Sequence, residues 1–145
     1  MSPTIPRVDF YRINDNNASS VKEVACRLLE KAYQNGHQIL VYCSTRLEAM
    51  ALDDQLWTYK ANRFIPHALI WETLTSTPPI QIGYEYTTES PHDLILNLAA
   101  TVPFFSPSLR RIIEIVPPAD AAKTISRDHY RIYRAQHCEL HTHEL

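Results

Sequence analysis

The sequence predicts one α/β domain with a largely parallel central sheet and helices on both faces. Strand-like and helix-like segments alternate from residue 8 onward, and their connections are short. An early strand, Gln38 to Cys43 (QILVYC), is a continuous apolar run, which a strand needs when both its faces are covered. The length of 145 residues suits a single domain over 1–145. Residues 1–7 read as an N-terminal extension and 137–145 as a solvated, flexible C-terminal tail.

Taken in order, Val8-Asp-Phe-Tyr-Arg-Ile13 alternates apolar and polar residues and ends at Asn14-Asp-Asn-Asn17, a strand followed by a turn. Ser20 and Glu23 have capping-box spacing, so each side chain can satisfy a free backbone N–H of the helix start. Val21, Val24, Ala25, Leu28, Leu29 and Ala32 then recur at helical spacing, and Gly36 supplies the stop. Thr45 and Glu48 repeat the box and open a second helix through Leu56 or Trp57. Arg63 to Ile70, Ile80 to Tyr86, Asp93 to Leu98 and Ile112 to Val116 read as strands, the last stopped by Pro117-Pro118. Pro103 to Ser108 reads as a loop. Asp120 is expected to cap a final helix reaching about Gln136.

Composition removes several function classes. Two glycines, Gly36 and Gly83, cannot build a glycine-rich phosphate loop, so no nucleotide cofactor is expected. A net charge of −2 argues against coating nucleic acid through a global positive field. No apolar run is long enough for a membrane span and the N-terminus carries no signal pattern. Three widely spaced cysteines, Cys26, Cys43 and Cys138, read as reduced thiols of a cytosolic protein.

Ligands of parallel sheets bind at the carboxyl ends of the strands. Asn14-Asp15 and Cys43-Ser44-Thr45-Arg46 are expected there. Cys43 before a helix start suggests a nucleophile, and so a small hydrolase, but Arg46 follows too soon for an oxyanion loop. Cys43 is better read as a buried strand end and Asp15 as a turn former. Cys138, His141 and His143 offer three metal-type ligands within six residues, short of the four that a structural zinc site needs. No metal site is assigned. His67 and His92, each beside a proline, read as packing residues at strand ends.

The last helix says more. At about 100° per residue, Ala122, Ile125, His129 and Ile132 share the expected core face. Lys123, Arg127, Arg131 and Arg134 share the opposite face with Tyr130 at its edge; Arg110 and Arg111 are candidates to extend it. No acidic residue falls within this stripe. It is either a solvated helix face or a receptor for carboxylates or phosphates, since guanidinium groups grip such anions bidentately and tyrosine adds a flat wall. Single-stranded nucleic acid, stacking on Tyr130 or Tyr133, is a further reading. A second candidate surface gathers Trp57, Tyr59 and Phe64 around Pro66; such aromatics serve as core lids or as protein–protein hot spots.

At these two segments the sequence resembles the chi subunit of bacterial DNA polymerase III. The resemblance runs from about Val8 to Arg134. It includes Val8-Asp-Phe-Tyr, Leu52-Asp-Asp-Gln-Leu-Trp57, Arg63-Phe-Ile-Pro-His67, Ile115-Val-Pro-Pro, and Lys123 followed by Arg127-Asp-His-Tyr-Arg-Ile-Tyr-Arg134. It implies a Rossmann-like fold without nucleotide binding, in an accessory, non-catalytic subunit of the clamp-loader assembly, cytoplasmic and associated with the nucleoid and replisome. It also implies binding of the acidic C-terminal tail of single-stranded DNA-binding protein, hence indirect contact with single-stranded DNA, through Val116, Lys123, Arg127, Tyr130 and Arg131. Val116 would line an apolar pocket. A second surface at Trp57, Phe64 and Pro66 would meet the psi subunit, or a helicase using the same face. By the same resemblance, members of that family can carry a glycine shortly after the Tyr-Arg ending, where this chain has His137, which suggests a narrowed tail pocket or an added pH-sensitive cation.

Overall fold

Alternation within the apolar strands sorts the core into two layers. In a computed structural model, which describes residues 5–13, 20–59, 65–72, 76–84 and 92–145, seven strands form one sheet. They are β1 (Arg7–Arg12), β2 (Ile39–Tyr42), β3 (His67–Leu69), β4 (Ile80–Gly83), β5 (Leu94–Asn97), β6 (Arg111–Val116) and β7 (Glu139–Glu144). Their order is β3-β4-β2-β5-β6-β1-β7, and every neighbouring pair is parallel. Ile39, Val41, Leu94, Leu96, Ile113 and Ile115 face two helices, α1 (Val21–Gln34) and α2 (Arg46–Thr58). Val8, Phe10, Leu40, Ile95 and Ile112 face the other way, towards Tyr133 of α3 (Asp120–Ala135) and Leu109. A fully buried aliphatic side chain contributes about 1.5–3 kcal/mol of transfer free energy, so both layers hold the sheet.

The first two helix starts follow the sequence. Ser20 Oγ accepts from the Glu23 N–H and Thr45 Oγ1 from the Glu48 N–H, each at 3.2 Å. The Glu48 carboxylate reaches back to the Ser44 N–H, one residue before the cap, at 3.1 Å. Asp120 is not the cap of α3. Ala119 holds the extended cap conformation and makes no side-chain cap bond. Asp120 is already helical and acts only as a first-turn acid at the positive end of the helix dipole.

The expected core face of α3 is also corrected. His129 is buried as expected, but Ile125 and Ile132 are 43% and 42% exposed and Tyr133 is buried in their place. The helix is turned so that two polar aromatic side chains, rather than two isoleucines, enter the core. The physical reason is Glu114, a buried carboxylate on β6 that needs those donors.

The reading of 137–145 as a free tail gives way as well. Glu139–Glu144 pairs in parallel with β1, from Arg7 opposite Glu139 to Arg12 opposite Glu144. Alternation places Cys138, Leu140 and Thr142 towards α3, with His141 and His143 on the opposite face of the sheet. The three metal-type ligands are therefore not gathered.

Both α1 and α3 end in the same hydrogen-bonded stop. After α1, Gly36 (φ 81°) donates to Tyr33 O and His37 to Ala32 O. After α3, His137 (φ 65°) donates to Arg134 O and Cys138 to Tyr133 O. This is the six-to-one, five-to-two pattern that favours glycine at the left-handed position. His137 lies outside the residues lining the cleft described below, so its left-handed conformation serves helix termination. Replacing His137 with glycine is expected to stabilise the fold by about 0.5–1 kcal/mol, raising the melting temperature by roughly 2–4 °C. An unchanged or lowered thermal midpoint would contradict this account.

Candidate functional site

Across β6, β1 and β7 the register sets side chains in rows on the α3 side. Glu114, Phe10 and Thr142 form one row; Val116, Arg12 and Glu144 form the next, at the carboxyl ends of the strands. The last two β6 residues lead through Pro117-Pro118 into α3, which passes over these rows. Between helix and rows lies an open cleft of about 310 Å³, lined by Phe10, Arg12, Val116, Lys123, Ser126, Arg127, Tyr130 and Thr142. Phe10 and Tyr130 contact each other with ring centroids 5.6 Å apart, giving the cleft an aromatic wall. Among the described residues, three cations line it and no carboxylate does.

Four of the five residues that the resemblance assigns to a tail site therefore meet here: Val116, Lys123, Arg127 and Tyr130. Arg131 does not line the cleft; its side chain is 78% exposed and pairs with Asp128 at 3.7 Å. Arg110 and Arg111 do not extend the stripe. Arg110 donates to Pro107 O at 2.7 Å, and Arg111 donates to Asp9 at 2.8 Å on the other face of the sheet. Sequence reasoning missed Phe10, Arg12, Ser126 and Thr142. The alternation of Val8 to Ile13 carried the signal for Phe10 and Arg12, because it puts Val8, Phe10 and Arg12 on one face. Thr142 was hidden by the tail reading.

The platform beneath α3 is a buried polar network. Glu114 accepts from Tyr133 OH, from Asn97 Nδ2 at 2.8 Å and from His129 Nδ1 at 3.1 Å. His129 Nε2 reaches Ala100 O at 2.9 Å. Burial by itself lowers the His129 pKa, but the hydrogen bond and charge of Glu114 overcome it and hold the imidazole above its usual range. Burial, then the Glu114 charge, pushes the Tyr133 phenol far up, so it remains a donor.

The ordinary ligand position of a parallel sheet holds a second cavity of about 270 Å³, at the carboxyl ends of β2, β5 and β6. Two of its polar groups are engaged internally: Ser44 Oγ accepts from the Ala100 N–H at 2.9 Å, and Glu48 accepts from the Ser44 N–H. Cys43, at the end of β2, is buried, and burial together with Glu48 pushes its thiol up to about 12. It is a packing residue and an inert nucleophile. Asn14 and Asp15 lie outside the described residues.

At the second surface, Trp57 is 56% exposed in the last turn of α2, its ring 4.9 Å from His67. Pro66 is half-buried beside it in sequence, and Phe64 lies outside the described residues. Leu47 and Met50 are exposed on the same helix as Trp57, with Asp54 among them. His67 bonds Ile65 O at 2.6 Å and His92 bonds Gln81 Oε1 at 2.8 Å, so both tie strand ends.

Beneath β1, on the α1 side, Asp9 is buried and accepts from Arg7, Arg111 and His143 at 2.9, 2.8 and 2.7 Å. Burial pushes its pKa up, but these three hydrogen bonds and the Arg111 charge win and bring it down to about 2. A depressed carboxylate stabilises the fold above its unfolded pKa and loses that contribution as pH falls through the folded value. About 2 kcal/mol is therefore expected to disappear between roughly pH 4 and pH 2. Denaturant titrations of the wild type and Asp9→Asn across that window check this: the wild type should lose about 2 kcal/mol more than the variant.

Among the described residues no helix is long and apolar enough to cross a membrane. The family model described as DNA polymerase III chi subunit, HolC, matches residues 5–141. A Pseudomonas aeruginosa protein named DNA polymerase III subunit chi is 36% identical over 139 residues, covering 96% of each chain. The Haemophilus influenzae protein of that name is 34% identical, covering 92% of this chain and 93% of its own. The Escherichia coli protein is 25% identical, covering 92% and 94%.

Proposed function

The chain belongs to the DNA polymerase III chi-subunit family, and from that membership we propose that it is a replication adaptor whose α3 cleft receives an acidic peptide ending in an apolar residue. The peptide is the C-terminal tail of single-stranded DNA-binding protein. The chain is a non-catalytic subunit of the polymerase holoenzyme and works in the cytoplasm, at the replisome. The observation that carries this reading is the cleft itself: an apolar floor and aromatic wall at Val116, Phe10 and Tyr130, bordered by Lys123, Arg127 and Arg12. An apolar terminal side chain fits the wall, and its carboxylate and acidic neighbours meet the cations.

The aromatic surface at Trp57 and Pro66, continued by Phe64 in sequence, is read as the contact for the psi subunit, which would link the chain to the clamp loader. A helicase-type partner would use the same face. Exposed aromatic and apolar side chains on one helix suit such docking.

Calorimetric titration with three probes tests the cleft. They are a synthetic peptide with aspartates before a C-terminal phenylalanine, the same peptide lacking that phenylalanine, and a single-stranded oligonucleotide. Binding of the first alone, weakening with added salt, is expected. Preference for the oligonucleotide would replace this reading with direct nucleic-acid binding.

A further inference from the structure

Arg12 ends β1 on the cleft side, between Val116 of β6 and Glu144 of β7 in the register. Its guanidinium lines the cleft, and Nη1 donates to Glu144 Oε1 at 3.1 Å. The two side chains are 52% and 65% exposed. A pair so exposed is weak, because water competes for both charges and two long side chains must be held still. Among the described residues Glu144 is the one side chain that Arg12 bonds, which leaves most of its five-donor fork uncommitted.

Resting on the reading of the cleft as a peptide receptor, we propose that Arg12 is a specificity-determining cation, selecting an acidic side chain upstream of the peptide's terminal residue, with Glu144 as its built-in competitor. The assignment follows from position. Lys123 and Arg127 border the aromatic wall from the helix, where an apolar end is held. Arg12 stands on the sheet floor beside the edge strand β7, and there it already holds a side-chain carboxylate. An incoming carboxylate exchanges with Glu144 at little Coulombic cost. A neutral side chain cannot make that exchange, so the pair filters against neutral peptides. The geometry of an edge strand allows this, since among the described residues no strand lies beyond Glu144 to restrain its release.

The test is a calorimetric cycle on the full chain at low ionic strength. It uses the aspartate-bearing peptide with a C-terminal phenylalanine, and the same peptide with asparagine for each aspartate. Arg12→Gln should weaken the aspartate peptide about two- to fivefold and leave the asparagine peptide unchanged. Glu144→Gln should tighten the aspartate peptide about twofold, and Arg12→Gln combined with it should abolish that gain. An Arg12→Gln variant that binds both peptides as the wild type does, or weakens both equally, overturns the proposal. So does a Glu144→Gln gain that survives without Arg12, which would reflect net charge alone. If the wild type binds neither peptide, or Arg127→Ala leaves both affinities intact, the cleft reading itself falls.

Discussion

Glu114→Ala is expected to cost about 3–5 kcal/mol of stability. The substitution leaves the Tyr133 hydroxyl, the Asn97 amide and the His129 imidazole buried without their common acceptor. It also removes the anchor that selects which side of α3 faces the sheet. The alternative packing, with Ile125 and Ile132 turned inward, then becomes competitive, and the cleft wall at Tyr130 turns with the helix. Denaturant unfolding measures the first effect. A loss of peptide affinity in protein that remains folded measures the second. Glu114→Gln separates charge from shape. The raised His129 pKa means that its contribution is fully present below the unfolded value near 6.5 and is lost as pH rises through the folded value. Wild-type stability should therefore fall on going from mildly acidic to alkaline buffer, and the fall should be smaller in Glu114→Gln. A Glu114→Ala loss below about 1 kcal/mol would mean that the network satisfies its members without holding the helix.

What was legible in the sequence follows from which forces are local. The caps at Ser20 and Thr45, the apolar run of β2 and the stop at Gly36 are set by neighbours a few residues apart, and they lie where the pattern put them. His129 was placed correctly on the core face of α3, but that face was centred too far towards Ile125 and Ile132 because hydrophobicity alone ranks them above Tyr133. The burial of His129 and Tyr133 depends on Glu114, 15 and 19 residues away, and on Asn97 one strand over. β7 was misread for a related reason. Glu139, His141 and His143 look solvated until Arg7, Asp9 and Tyr11 of β1 are placed beside them. The basic side of the cleft was visible as a stripe on one helix, whereas its floor required the pairing of three strands. Arg131 shares the stripe by angle but is not among the residues lining the cleft.

That distinction makes Arg127→Ala the most discriminating change at the cleft. A loss of about 1–3 kcal/mol in affinity for the acidic peptide is expected, the range for a charge-assisted contact left unmade. Among the described residues neither Arg127 nor Lys123 has a carboxylate partner, so the Arg127 donors reach the ligand unspent. Arg131 does not line the cleft, and its exposed contact with Asp128 is weak, so Arg131→Ala should lose less than about 0.5 kcal/mol. Arg127→Lys should fall between wild type and Arg127→Ala, because a lysine keeps the charge and loses the two-pronged geometry. Arg127 is exposed, so melting temperatures of all three variants should match the wild type, and any affinity change is then a property of the cleft. Equal losses for Arg127→Ala and Arg131→Ala would return the whole stripe to the status of a diffuse positive field. In that case binding would track net charge and salt alone, with no preference for a peptide that ends in an apolar residue.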